Sequence, residues 1–205
     1  MSSYADDLRP LRTLTNEEGE KLLRATGATR ETFRDHVLFS VALSTGLRQH
    51  EILALDWRDV CTPGGGMKKL VCLRVFKRSN ADEAQQEIRL ADALRRKLER
   101  LRENNRKDGL PAGDDDPIFL SERKTRLSER MARHLFGVWQ EKAGLDRHLS
   151  FHSLRHTACT RLYEATGGDL RLVQRFARHA SVRSTERYTH PSDERLSKAV
   201  ELISV

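Results

Sequence analysis

Residues 151–162 read FHSLRHTACTRL, and the folding of that stretch decides how the rest is read. The pattern predicts a helix from about His152 to Thr166, ended by Gly167-Gly168. His152 and Arg155 stand three apart, which on a helix puts both on one face. An imidazole and a guanidinium facing the same way can hold two oxygens of a phosphate. Many exposed helices carry such a pair by chance, so the spacing alone is not specific.

Downstream, a helix is expected over about Asp169 to Arg178 and a short one around Ser181 to Tyr188. Arg178-His179 and Arg187-Tyr188 flank that short helix, and the segment between them has no large apolar residue beyond Val182. A tyrosine there has little to pack against, although a half-exposed Tyr on an amphipathic helix is common. The last helix, Asp193 to about Ile203, carries Leu196, Ala199, Val200 and Ile203 on one face.

Upstream of the quoted stretch, Ser128 caps a helix bearing Met131, Leu135, Val138 and Trp139, which Gly144 ends. Residues 1–12 read as a leader or linker. Thr15 and Glu18 form a capping box for a helix over about 15–26. A second helix, about Arg30 to Ser44, carries Phe33, Val37, Leu38 and Val41, and Gly46 supplies its stop. Arg48 then projects from the start of a short helix with Glu51 one turn on. Glu51 can fix the guanidinium by a charge-assisted hydrogen bond, and an ordinary surface ion pair would have the same spacing.

The texture changes around Thr62-Pro63-Gly64-Gly65-Gly66, a turn signal between the β-rich runs Trp57–Cys61 and Leu70–Phe76. A third strand is expected around Gln86 to Leu90. The fold class is therefore mainly α with a small three-stranded antiparallel β-meander. Lys77 lies at the tip of the meander, where it can reach into a groove or stand solvated, and Arg78 beside it could substitute. Asp92 is expected to cap a helix with Leu94, Leu98 and Leu101 on one face. Residues 104–117 form a polar loop whose Asp114-Asp115-Asp116 run is assigned no metal.

Composition narrows the class. The 205 residues carry 37 Lys and Arg against 30 Asp and Glu, a net charge of +7. Residues 121–190 hold 14 basic residues against 7 acidic, so the rest of the chain is neutral and the whole excess lies in this segment. Six of the eight histidines lie there too. Such a surplus points to a polyanionic partner, most simply nucleic acid, with an Arg-rich solvated helical surface as the alternative. No window holds the roughly 18 apolar residues of a membrane span, and the N-terminus lacks an apolar signal core. Cys61, Cys72 and Cys159 form no CxxC pair, which fits reduced thiols in a cytoplasmic protein.

Taken together, Arg48, Lys77, His152-x-x-Arg155, His179 and Tyr188 resemble the catalytic signature of tyrosine recombinases, the phage-integrase family. The stretches TGLRQHEILALDW (45–57), FHSLRHTACTRL (151–162) and ARHASVRSTERYTH (177–190) carry the resemblance, in order and roughly in spacing. The last is most similar to Xer-type resolvases and integron integrases. The resemblance implies the family's catalytic-domain fold over residues 13–205, with the N-terminal core-binding domain absent. It also implies a site-specific recombinase or integrase acting on double-stranded DNA and needing no metal or cofactor. In that chemistry Tyr188 attacks a phosphodiester to give a 3′-phosphotyrosyl link and a free 5′-hydroxyl. Arg48 and Arg155 neutralise the charge that builds on the phosphate. His152 accepts the tyrosine proton, Lys77 protonates the departing oxygen, and His179 donates a further hydrogen bond. Glu51 is a supporting residue, and Arg78, Arg178 and Arg183 are candidate DNA contacts.

The expected departures from the family pattern are an absent clamp domain, a long turn after Lys77, and Arg178, where the family usually has glycine. Association into a tetramer on synapsed DNA, through the 193–203 helix, and a partner supplying the other half of the clamp are further expectations. The competing expectations are a non-catalytic DNA-binding protein that keeps the fold, and a type IB topoisomerase-like relaxing enzyme.

Overall fold

Thr15 opens the first helix with both halves of the predicted box: its hydroxyl accepts from the Glu18 amide at 3.1 Å, and the Glu18 carboxylate accepts from the Thr15 amide at 2.8 Å. This is α1 (Asn16–Thr26) of a computed structural model that describes residues 12–74, 86–146, 148–179, 181, 183–186 and 200–201. Expectations for residues 1–11 and for most of the 193–203 helix fall outside the described residues.

The second helix, α2 (Phe33–Thr45), is the axis of the molecule. Its expected stripe is buried, and so are Phe39, Ala42 and Leu43, so the helix is covered on more than one face. It packs on α1, α5 (Asp92–Lys107) and α7 (Phe151–Ala165). Phe39, Phe136 and Phe151 meet at centroid separations of 5.8–6.2 Å, joining α2 to α7 and to α6 (Glu129–Lys142). Each such ring contributes roughly 1.5–3 kcal/mol by burial. Among the described residues, no helix is long and apolar enough to cross a membrane.

Two short helices, α3 (Gln49–Leu53) and α4 (Trp57–Val60), follow α2. The second of them corrects the expected strand at Trp57–Cys61. Asp56 and Asp59 cap the turn, the Asp56 amide donating to Asp59 Oδ2 at 2.8 Å, and the Trp57 ring is fully buried. A local Asp-x-x-Asp cap outweighs the β preference of the intervening types. Only Cys61 joins the sheet region, as a single bridge to Met67. The described part of the antiparallel meander is β1 (Leu70–Cys72) on β2 (Glu87–Arg89), with Val71 opposite Ile88. Ala91, one residue before Asp92, is the N-cap of α5, and Asp92 pairs with Arg95 in its first turn.

Helix α8 (Leu170–Ala177) packs on α7 through the small cluster Cys159, Val173 and Ala177, and α9 (Arg183–Glu186) follows. Gly46 governs how close α8 comes to the end of α2. Its φ of +59° ends α2 in the left-handed region, and a Cβ there would lie 2.5 Å from Phe176 Cε1 of α8. Both constraints require glycine. Gly46→Ala should therefore destabilise the protein by about 2–4 kcal/mol, from backbone strain plus overpacking, read as a lower urea midpoint at unchanged m-value.

Candidate active site

Three segments far apart in sequence deliver cationic side chains to one place. The α2–α3 elbow carries Arg48, which precedes α3 with an extended backbone. Helix α7 carries His152 in its first turn and Arg155 one turn on. The end of α8 carries Arg178 and His179.

Arg155 is only 3% exposed. Its guanidinium donates to the Gly46 carbonyl, to the Ala177 carbonyl at 2.7 Å, and lies 3.1 Å from His179 Nε2. A guanidinium has donors only, so His179 Nε2 accepts and the ring proton sits on Nδ1. That atom is 3.0 Å from the Thr185 hydroxyl, which extends the chain of bonds into α9. Gln174 donates its side-chain amide to the His179 carbonyl at 3.1 Å.

Glu51 is the second hub. Its Oε1 accepts from Arg48 Nη1 at 2.9 Å, and its Oε2 accepts from the Arg48 amide at 2.8 Å and from Arg178 Nη2 at 2.5 Å. The Glu51 and Arg178 side chains are fully buried, and Arg48 keeps 18% of its side chain exposed. Burial alone would raise the Glu51 carboxyl. The Arg178 and Arg48 charges and the Arg48 amide outweigh it and hold the group below the usual carboxylate range. Burial pulls the Arg178 guanidinium down, opposed by Glu51 and helped by the like charges of Arg155 and Arg48. Arg48, Arg155 and Arg178 outnumber the one carboxylate that these bonds bring to them among the described residues, an arrangement suited to a phosphate whose own charge grows during reaction.

The sequence-predicted residues fall into three groups. Arg48 is bonded to Glu51, and Arg155 to His179, in two groups that adjoin through Arg178. His152 shares α7 with Arg155 but is exposed, its ring edge-on to the buried His156 at 4.4 Å. Lys77, Arg78 and Tyr188 lie outside the described residues, as does the Arg183 side chain, although Arg183 opens α9. Arg178 does not face solvent: it is 1% exposed, at φ +53°, and spent on Glu51, so its burial contradicts the expectation of a DNA contact. Thr185, Gln174 and the carbonyls of Gly46 and Ala177 were not foreseen.

Arg74, three residues before Lys77, is clamped by two buried carboxylates. It donates to Asp56 and twice to Asp59, one of those bonds at 2.8 Å, and Asp56 also accepts from Arg126. These bonds raise the Arg74 guanidinium above its ordinary value, Asp59 most of all. The described exit of β1 is thereby fixed to α4. Among the described residues, no group of three or more His, Cys, Asp or Glu side chains is placed to hold a metal ion.

Comparison with known proteins identifies the family and the fold. Residues 12–195 match the model of the phage integrase family. The chain is 32% identical over 191 residues to tyrosine recombinase XerC of Corynebacterium efficiens, covering 89% of this chain and 55% of that protein. It is 31% identical over 188 residues to XerC of Pelotomaculum thermopropionicum, covering 91% of this chain and 60% of that one. The chain thus spans little more than half the length of these curated relatives. Among solved structures, XerA recombinase superposes with a TM-score of 0.71 at 24% identity, over 95% of this chain and 64% of that one. The Tn1549 transposon integrase, solved in complex with transposon right end DNA, gives 0.77 at 18% identity, over 99% and 70%. At those identities the likeness is one of fold.

The buried carboxylate makes a testable demand. Its folded pKa lies below the unfolded value of about 4.3, so its contribution to stability is present above that pH and lost as pH falls through the folded value. Glu51→Gln should cost about 3–5 kcal/mol at pH 7, because two guanidiniums lose their counter-ion. It should also flatten the acid limb of melting temperature against pH.

Proposed function

This chain belongs to the phage integrase family, and from that premise we propose that it is a site-specific DNA strand transferase working through a covalent phosphotyrosyl intermediate. The observation that best supports the reading is the convergence of Arg48, Arg155 and His179, from three separate segments, in two bonded groups, Arg48 with Glu51 and Arg178, and Arg155 with His179, that adjoin at residues 177–179.

In the proposed reaction the Tyr188 oxygen attacks a DNA phosphorus atom. One P–O bond forms to the phenol, and the bond to the 5′-oxygen breaks. The phenol proton passes to His152, and Lys77 supplies a proton to the departing oxygen. Tyr188 has a free pKa near 10, so a base and nearby cations are both needed at pH 7. Arg48 and Arg155 carry the growing charge on the non-bridging oxygens, and His179 becomes a further donor when its ring is doubly protonated and Nε2 exchanges Arg155 for the phosphate. Reversal by the free 5′-hydroxyl of a partner strand rejoins the backbone, and the covalent link conserves the bond energy between the two steps.

The proposed substrate is double-stranded DNA, bound as a tetramer on synapsed sites in the cytoplasm. The clamp half that longer family members carry is proposed to come from outside these 205 residues. The test uses a pool of nicked duplexes with a randomised core, from which covalent adducts are captured and sequenced. The unmodified chain should yield adducts that survive denaturation and are insensitive to chelator. Tyr188→Phe should yield none. Arg48→Ala should slow adduct formation about a hundredfold or more while duplex binding weakens far less. Failure of the unmodified chain to form any adduct, or adducts that persist in Tyr188→Phe, would overturn the reading.

A further inference from the structure

The residue before His179 is costly in this chain. Arg178 adopts a left-handed backbone at the end of α8 that glycine would adopt without strain, and it buries a whole guanidinium. The burial is offset by the Oε2 atom of Glu51, 127 residues earlier in the chain, which accepts from Nη2 at 2.5 Å, and by the Phe176 carbonyl, which accepts from Nη1 at 3.3 Å. We propose that Arg178 is a positioning residue: it keeps Glu51 ionised and thereby holds the Arg48 guanidinium in place at the phosphate site. Its catalytic consequence rests on the strand-transfer reading, while its electrostatic core does not.

The division of labour follows from the two carboxylate oxygens. Oε1 takes the Arg48 guanidinium, and Oε2 takes the Arg48 amide and Arg178. The charged groups around Glu51 are Arg48 from its own turn and Arg178 from the end of α8, with Arg155 of α7 felt beyond Arg178. Without Arg178, the carboxylate is buried with a single guanidinium. Burial, the largest influence on Glu51, then gains ground and favours the neutral acid. A protonated Glu51 gives up much of its pull on Arg48, and the long side chain regains its rotamers. If Glu51 stays ionised without Arg178, its charge falls on Arg48 alone and cancels that guanidinium. Arg178 therefore allows one carboxylate to orient Arg48 without cancelling the field of the site.

Arg178→Gly is the informative variant, because glycine accepts the backbone conformation and the fold should survive. The Glu51 carboxyl, followed by carbon-13 NMR without DNA, should titrate at higher pH in Arg178→Gly than in the unmodified chain. Adduct formation should slow by about ten- to a hundredfold at neutral pH, with the acid limb of its rate profile displaced the same way. Arg178→Lys should restore part of both. In a Glu51→Gln background, Arg178→Gly should change the rate by less than about twofold, since the effect acts through Glu51. An unmoved Glu51 titration, or an equal loss of rate in both backgrounds, would overturn the inference. If the unmodified chain forms no adduct, the strand-transfer reading fails instead, and the titration alone still decides the role of Arg178.

Discussion

A guanidinium withdrawn from water must have its donors matched, and Arg155 meets that demand with backbone rather than with a counter-ion alone. Its bonds to the carbonyls of Gly46 and Ala177 take acceptors that the ends of α2 and α8 leave unsatisfied. One buried cation thus ties three segments together. Gly46 lies two residues before Arg48, and Ala177 lies two before His179, so the tie sets the spacing of the cationic cluster. Phe176 against Gly46 brings the same two segments into van der Waals contact from the apolar side.

The electrostatic design follows from that geometry. Carbonyl dipoles help anchor Arg155, whereas Arg48 is anchored by a formal charge. Glu51 would cancel Arg48 if they stood alone, and the third guanidinium restores the balance. Burial of Glu51 and Arg178 strengthens their mutual attraction and keeps it from screening by salt. Arg48 sits at the edge of this dry pair, partly exposed, where a phosphate oxygen can approach.

How much of this was legible depended on the range of the signal. Thr15 with Glu18, Ser128 and Gly46 act within one helical turn, and each does what its residue type announces. His152 and Arg155 share a helix, as the spacing required. The Arg48–Glu51 pair was also legible, but the choice between a surface ion pair and a buried support was not, because burial is a tertiary property. Arg178 shows the limit most clearly. Its chemical type suggests a surface contact, and only a carboxylate 127 residues away explains why it turns inward. Trp57–Cys61 failed for the opposite reason: residue preference for strand was weighed above a short-range cap. The acceptors of Arg155 are carbonyls of glycine and alanine, which no side-chain pattern marks.

The way α8 is attached has a mechanical consequence. Among the described residues its fully buried apolar anchor is small, Cys159, Val173 and Ala177 with Leu162, Tyr163 and Phe176 packed at its edge, and Arg155 adds a polar link at its end. Segments with few buried apolar contacts open at lower free-energy cost than the core. On the proposed reading, a phosphate that engages Arg155 draws on a side chain that also holds the end of α8. The bond from His179 to Thr185 continues that path into α9, three residues short of Tyr188. On the proposed reading, phosphate binding and the placement of α9 are therefore coupled through Arg155. An anion that stabilises this guanidinium in its bonded position must, by linkage, tighten the α8–α9 segment as well.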